Sequence, residues 1–446
     1  MNLRSKIWDR VLSLFGRKSL NKTAHRKAGE FEEEYERTDR ISFTAVFAAS
    51  LSNKAVSDST FSVKDAAGKD SRRSEWLNNG LQKVWSKNKT LVSQTLGKGG
   101  KVLVPYVRDG MPFVDLIDQS RMVITSMRGD EITGATLMAD IGSVDEKVYY
   151  RFADYRLEGN VHTIRYRATN DSGGEVELTI IPEWAEFQED IVITGAEHIL
   201  FGYLKCPQDS REDKQIMGVP ITYGGEETIR DLHDCLNDMR REYKLKKSFV
   251  GADERLFGKD SKLPDNGLFK KIRQTGLKEG NFWEIFDPAI RDSSYIARFQ
   301  QLCGILESTV GVSPGILTKV EKTYITDDEI KQQNSDTFAM VDSIRANIET
   351  AFSQLAYALD VLAEAYGATP SGAMGDWQIT WDWDMSMTES STETFNQLSE
   401  LESRGLILPE RLVSWTTGQS LEEAKKEVAA AKALQPDTVD VLLGEE

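Results

Sequence analysis

Seven apolar residues spaced by three and four, Val341, Ile344, Ile348, Phe352, Leu355, Leu359 and Leu362, predict one helical face that continues to about Gly367. Upstream, Thr326-Asp327-Asp328-Glu329 has the form of a capping box, the Thr oxygen accepting from the Glu amide while the Glu side chain reaches back. Together they predict a helix of roughly forty residues, ~60 Å long at about 1.5 Å per residue. A helix of that length is a strut.

Two shorter periodic stretches precede it. Ile229, Leu232, Leu236, Met239 and Tyr243 form the seam of a helix that packs along its length, opened by Glu226 and Glu227 and closed by Lys244, Lys246 and Lys247 to suit the helix dipole. Periodicity resumes at Tyr295, Phe299, Leu302 or Cys303, Leu306 and Val310. The two helices bracket a short, turn-rich island from Val250 to Ile290, with Lys259, Lys262, Lys270, Lys271, Arg273 and Lys278 and, near its end, Phe282, Trp283 and Phe286. Between the second helix and the strut lies GVSPGILTKVEKTYITDD, Gly311 to Asp328, an eighteen-residue strip. Connections usually run about 4–6 residues, so the length itself is a signal.

Ahead of these, Ser74 to about Thr95 reads as a single helix through Leu77, Leu81, Val84 or Trp85, Asn88 and Leu91 or Val92. The stretch GKGGK, Gly97 to Lys101, ends it. It is no phosphate-binding loop, because that loop needs a strand before it and a helix after, and here the order is reversed. From Lys101 to Thr179 short alternating runs predict an antiparallel meander, with hairpin turns at Asp109-Gly110 and Gly159-Asn160. Arg128-Gly129-Asp130 is read as a turn. At the start of the chain, Leu3, Ile7, Trp8, Val11, Leu12 and Phe15 can share a helical face opposite basic residues. That face suits a membrane surface, a transit-peptide-like segment, or a terminal helix packed on the protein body or a neighbouring subunit.

Beyond the strut, WQITWDWDM alternates like a strand, with Asp382 and Asp384 opposite Trp381 and Trp383. Paired carboxylates can serve acid/base or metal chemistry; with no third ligand in view, an edge strand with a wet face is the simpler reading. Short helices follow from Thr392 to Arg404, Pro409 to Trp415 and Ser420 to Ala433.

The 446 residues allow two or three domains at about 100–200 residues each. A net charge of −16 argues against broad non-specific wrapping of nucleic acid, though a conduit benefits from walls that repel phosphate. Three separated cysteines and four histidines give no metal-ligand spacing and no disulfide framework, and a reducing interior fits best. His233 and Cys235 sit two apart on one helix, on different faces, and do not make a catalytic pair. No apolar run reaches the ~20 residues a membrane span needs. No catalytic residues, metal site or cofactor are expected, so function has to be sought in architecture.

The order of elements, helix, turn-rich island, helix, long loop, very long helix and small helices, resembles the portal proteins of tailed bacteriophages of the siphophage type. Local stretches resemble them too: GKGGKVLVPYVRDGMPFVDLIDQSRMVITS, FGYLKCP ahead of MGVPITYGGEETIRDLHDCLNDMRRE, GVSPGIL ahead of DEIKQQNSDTFAMVDSIRANIETAF, and FNQLSELESRGLILPERLVSWTTGQSLEEAKKEV. The resemblance covers most of the chain from about Gly97 and implies an α+β, mainly helical fold with wing, stem, clip and crown parts that assembles as a ring, commonly dodecameric. It assigns residues 1–225 to N-terminal helices plus an antiparallel β wing, 226–249 and 291–311 to two stem helices, and 250–290 to the clip. A tunnel loop would occupy 312–328, a long wing helix and strand 329–390, and the helical crown 391–446. It implies a virion protein at one capsid vertex, the head-to-tail connector. Double-stranded DNA would pass through its channel during packaging and ejection, and terminase, the major capsid protein, scaffold and a head-completion or adaptor protein would be partners. Lys319, Lys322 and Tyr324 are the expected DNA contacts, and Lys262, Lys270, Lys271, Arg273 and Lys278 the expected docking residues of the clip. In that reading Gly311, Pro314 and Gly315 free the chain, and Ile316 to Ile325 reaches into the channel. Two alternatives stand beside it: another capsid or adaptor component, and an enzyme with a scattered site around Asp382 and Asp384.

Overall fold

The computed structural model describes residues 34–187, 190–208, 210–211, 217–245, 249–253, 269–272, 283–286, 291–319, 334–368, 374–384, 398–417 and 421–433. They divide into a larger unit reaching to Trp381 and a smaller one from Asp382 on. Helix and sheet are mixed, with helix in excess.

In the larger unit the elements run α1 (Phe43–Val56), β1 (Thr60–Lys64), α2 (Arg72–Trp85), α3 (Asn88–Lys98), β2 (Gly100–Arg108), β3 (Met111–Asp118), β4 (Met122–Arg128), β5 (Glu131–Val144), β6 (Lys147–Glu158), β7 (Val161–Asn170), β8 (Glu175–Val176), β9 (Ile191–Thr194) and β10 (Gly202–Lys205). Then come α4 (Glu226–Leu245), β11 (Phe249–Asp253), β12 (Phe269–Ile272), β13 (Trp283–Phe286), α5 (Asp292–Val310), α6 (Ser335–Ala365) and β14 (Gln378–Asp382), whose last residue belongs to the smaller unit. The smaller unit contains α7 (Pro409–Thr417) and α8 (Leu421–Ala433), with Ala424 and Val428 buried.

The helix expected from Ser74 to Thr95 is two. Ser71 accepts from the Ser74 amide in a capping box that starts α2, and the chain leaves helical geometry at Lys87 (φ −116°, ψ 25°) before α3 begins. No breaker residue marks the spot. Trp85 is buried with its indole donating to Ser59 O at 3.2 Å, and the bend lets α3 pack on α1, so tertiary packing overrides local propensity. Gly97 lies inside α3, where an added Cβ would sit 2.1 Å from the Tyr35 ring, so Gly97 admits that ring. Gly99 (φ +91°) then caps the helix in the left-handed conformation.

The expected single meander is divided between two sheets. β2 and β3 pair as a hairpin and take β10 on the other side of β2, while β4, β5, β6, β7 and β8 run in order, β9 also pairing with β7. The one-turn 3₁₀ segment Gln119–Arg121 redirects the chain between the sheets. Asp109-Gly110 forms the expected turn with both residues at positive φ, Gly159 (φ +60°) opens another, and Gly129 (φ +64°) turns β4 into β5 at the Arg-Gly-Asp triplet. A further hairpin at Asp145-Glu146 has positive φ at both residues without glycine, so no glycine signalled it. The stretch Glu175 to Thr179 yields only the short β8 before a 3₁₀ turn.

The strut spans 31 residues, about 46 Å, instead of roughly forty. Asn334 precedes it in a non-helical conformation, and the capping box at 326–329 lies outside the described residues, as do the amphipathic stretch at 1–19 and the box at Ser420. Its far end matches the expectation. Gly367 (φ +58°) follows Tyr366, Ala368 N–H donates to Ala363 O at 2.8 Å and Gly367 N–H to Glu364 O at 3.2 Å, closing a Schellman turn. Its apolar face is buried at every predicted position from Val341 to Leu362. Phe352 meets Phe61, Trp85 and Trp381 with ring centroids 4.9–5.8 Å apart in that cluster, which seats β1 and β14 beside it.

His162, on β7, is fully buried; its Nε2 accepts from Leu200 N–H at 3.3 Å and its Nδ1 has no hydrogen-bond partner. Burial pulls its pKa from 6.5 down to about 4. Between those two values the unfolded chain binds a proton that the folded chain refuses, so stability held above pH 6.5 is lost as pH falls toward 4. His162→Gln, which cannot charge, is expected to remove about 3 kcal/mol of the loss between pH 7 and pH 4. Urea unfolding of both proteins across that range checks it; parallel pH profiles refute the assignment.

Candidate functional site

Helices α4 and α5 pack on each other and carry β11–β13 between them. In that small sheet β11 pairs with β12 in parallel and β13 antiparallel, so the described residues of the island form a three-stranded sheet. α4 ends at Leu245 and β11 has begun by Phe249, so the first helix is shorter than the expected 226–249. The second matches its expected span closely, with Gly311 (φ +79°) as its cap.

Burial along this hairpin is graded. At the root Ile229, Leu232, Leu302, Cys303, Leu306 and Val310 are buried. Toward the island Leu236, Met239, Tyr295 and Phe299 are only half-buried, and Tyr243 and Ile296 stand 52% and 55% exposed. Ile305 is 45% exposed. Nine residues separate Ile296 from Ile305, which at about 100° per residue puts them on opposite flanks of the buried stripe. Near the island the hairpin is fastened by polar contacts: Arg291 to Glu242 at 3.0 Å and Tyr243 Oη donating to Asp292 Oδ1 at 2.5 Å. The Arg291 hydrogen bond, with Tyr295 adding, holds the Glu242 carboxyl down to about 2. On α4, His233 meets the Phe43 ring edge-on at 5.3 Å and Cys235 faces Tyr295 O at 3.9 Å.

The strip that follows α5 departs from expectation over its first half. Gly311 does not release the chain. Glu307, in the last turns of α5 and fully buried, accepts with Oε1 from the backbone N–H groups of Gly315, Ile316, Leu317 and Thr318 at 3.1, 2.9, 2.7 and 3.1 Å. Its Oε2 accepts from Thr318 Oγ1 at 2.7 Å. Lys319 N–H then donates to Gln300 Oε1 at 3.2 Å, so the strip doubles back along α5 for about two turns. On the other side Ser313 N–H donates to Thr337 Oγ1 at 3.0 Å, and Ser313 Oγ accepts from Thr337 N–H at 3.4 Å. A residue of the strip thereby caps the first turn of α6, a service that local sequence did not announce.

Of the expected DNA-contacting residues, Lys319 is exposed at the end of this strap, while Lys322 and Tyr324 lie outside the described residues. Of the docking residues, Lys270 and Lys271 occupy successive positions of β12, opposite Gly251 and Ala252 of β11; Lys262, Arg273 and Lys278 lie outside. Asp382 ends β14, and among the described residues no cluster of His, Cys, Asp or Glu could hold a metal ion. No described helix is long and apolar enough to cross a membrane.

A cavity of about 750 Å³ lies between the β4–β5 turn, β10 and α6, lined in part by Glu131, His198, Phe201, Tyr203, Gln354 and Tyr357. Its polar wall is largely engaged internally. Gln354 Oε1 accepts from Tyr203 N–H at 2.9 Å and Asn347 Nδ2 donates to Lys205 O at 3.0 Å, satisfying the free edge of β10, while Tyr357 Oη accepts from Glu197 N–H at 2.7 Å. Glu131 is bonded to His198.

No protein-family model and no curated protein matches the chain. Solved structures that resemble it include a chain from the virion of a native gene transfer agent particle, at 12% identity and TM-score 0.46 over 91% of this chain and 98% of that one. Another comes from the neck of an empty such particle computed with C6 symmetry, at 12% identity and TM-score 0.45 over 84% and 90%. A third comes from the neck of a native particle computed with C12 symmetry, at 11% and 0.41 over 82% and 88%. Likenesses this loose do not fix a role.

Proposed function

We propose that this chain is a portal-type subunit: a head-to-tail ring at one vertex of a phage-like capsid, through which double-stranded DNA passes. The observation that carries this is the α4–α5 hairpin, whose burial runs out toward the island while two apolar residues, Ile296 and Ile305, flank its buried stripe on opposite sides. A ring that closes by rotation needs two different complementary surfaces on each copy, one for each neighbour. A two-fold dimer needs only one. The net charge of −16, repeated around a channel, would discourage phosphate from sticking and so favour sliding. In this reading β11–β13 is the clip that meets terminase and later a head-completion protein, and Lys319 and Lys322 touch the DNA backbone by charge. The six-stranded sheet and α6 form the wing, in contact with capsid and scaffold, and α7 and α8 belong to the crown.

The test is the assembly state of the purified full chain by electron microscopy and mass measurement. A ring with a channel wide enough for duplex DNA is expected, and a strictly monomeric particle would sink the proposal. Ile296→Asp or Ile305→Asp alone should abolish ring closure while leaving the circular-dichroism spectrum unchanged. Mixed in equal amounts, the two variants keep one intact interface between unlike copies and should stop at dimers. Lys319→Ala with Lys322→Ala should leave rings intact and impair DNA packaging or retention. An adaptor of another kind would bind through the same hairpin yet form no self-closed ring, so the same images separate it.

A further inference from the structure

We infer that Glu307 is the positioning residue of the strip, coupling Lys319 rigidly to helix α5. A carboxylate buried without a cation is costly unless hydrogen bonds replace its water. Here five donors from one short stretch of chain do so: four consecutive backbone N–H groups and one hydroxyl, all from Gly315 to Thr318. Converging consecutive amides on one anion is the geometry of a backbone nest. In most nests the anion is a ligand; here it is a side chain of the preceding helix.

The track beneath the strap is prepared for it. Gln300, Gly304 and Glu307 follow the spacing of one helix face. Gln300 holds the far end of the strap through the Lys319 amide, and Glu307 holds the near end. Between them the strap passes over Gly304 without pressing on it: an added Cβ there would find only Thr318 Cγ2, at 4.0 Å. Ser313 ties the base of the strap to α6 through its reciprocal pair with Thr337. Lys319 is therefore carried by α5: rotation or translation of that helix moves the lysine's backbone with it. Taken with the proposed portal role, on which this functional meaning rests, the clamp would transmit stem movement to a DNA-contacting residue. The clamp itself does not depend on that role.

The experiment is hydrogen exchange, read by mass spectrometry, on the full chain and on Glu307→Gln, Glu307→Ala and Thr318→Val. In the wild type the amides of Gly315 to Thr318 should be protected. In Glu307→Ala they should exchange at least tenfold faster while peptides from the middle of α5 and from α6 keep wild-type rates, and Thr318→Val should give a smaller acceleration in the same peptide. Protection of 315–318 unchanged in Glu307→Ala overturns the inference. If Glu307→Ala does not fold, Glu307→Gln decides: its amide keeps one acceptor oxygen and loses the charge, so faster exchange confined to 315–318 is expected and unchanged exchange overturns it. Assembly state is measured on the same samples. Monomers with an intact clamp would refute the ring alone, and rings with an unprotected strap would refute the clamp alone.

Discussion

Asp360→Ala is expected to destabilise the larger unit by about 3–5 kcal/mol, the usual consequence of removing one partner from a buried ion pair. Asp360, on α6, and Arg73, on α2, are 1% and 2% exposed and bonded through Arg73 Nε. The guanidinium also donates to Asp360 O at 3.1 Å and to Glu364 at 3.2 Å, while Asp360 Oδ2 accepts from Gly375 N–H at 2.8 Å and Trp377 Nε1–H at 3.2 Å. One carboxylate thus joins α2, α6 and the segment leading to β14. Its loss takes the buried counter-charge from the Arg73 guanidinium and leaves two donors, Gly375 N–H and Trp377 Nε1–H, without that acceptor. Replacing both charges, Arg73→Met with Asp360→Leu, should recover much of the stability, because an apolar pair of similar volume needs no desolvated charges. Urea unfolding of the three proteins measures this. A loss below about 1 kcal/mol in the single variant would contradict the account.

Gly218→Ala should be comparably severe for a different reason. A Cβ on Gly218 would lie 2.0 Å from the carbonyl oxygen of Gly99 and 3.1 Å from the amide nitrogen of Cys206, both backbone atoms that cannot rotate aside. Those atoms bond to each other at 3.0 Å, and around them Gln119 Nε2 donates to Gly218 O at 2.7 Å while Gly218 N–H donates to Tyr203 Oη at 3.0 Å. The added methyl has to part the end of α3 from the segment after β10, breaking bonds in a region closed to water. Overpacking of this kind typically costs about 1–3 kcal/mol, and each stranded polar group adds about 1–3 more. The urea midpoint should fall accordingly, and the Tyr203 environment, with its hydroxyl pKa raised by burial, should become accessible to ultraviolet titration. Wild-type stability in this variant would show that the two segments are not closely apposed.

The elements that local sequence announced are those whose signal is periodic or punctuated. α4, α5 and α6 were legible because a buried stripe repeats every three or four residues, and the hairpins at Asp109-Gly110 and Gly159 because glycine at a positive φ marks the turn. The bend between α2 and α3 was not, because Ser86 and Lys87 are compatible with helix and only packing on α1 and Ser59 decides against it. The division of one run of strands into two sheets escaped for the same reason: pairing partners such as β2 and β10 lie about a hundred residues apart, and alternation does not name a partner.

Lys319 could be named because a charge in a long loop stands out, whereas Glu307 could not, since a glutamate beside Leu306 in an amphipathic helix reads as an ordinary solvated residue. One sign was available: Glu307 falls on the same face as Cys303 and Val310, where an acid has to be satisfied by something. Asp360 in the apolar run around Leu359 and Val361 carries the same sign. The sequence alone determined the helical periods, the turn residues, the order of elements and an acidic charge, because these are set within a few residues of chain or by simple addition. Only the tertiary structure decided that the strip after Gly311 is bound back onto α5, that Ser313 caps α6, and that Asp360 and Glu307 are buried acceptors. Each of these depends on bringing together groups from separate turns or elements, and the donor that satisfies a buried carboxylate is chosen by the fold's geometry and carries no mark in its own local sequence.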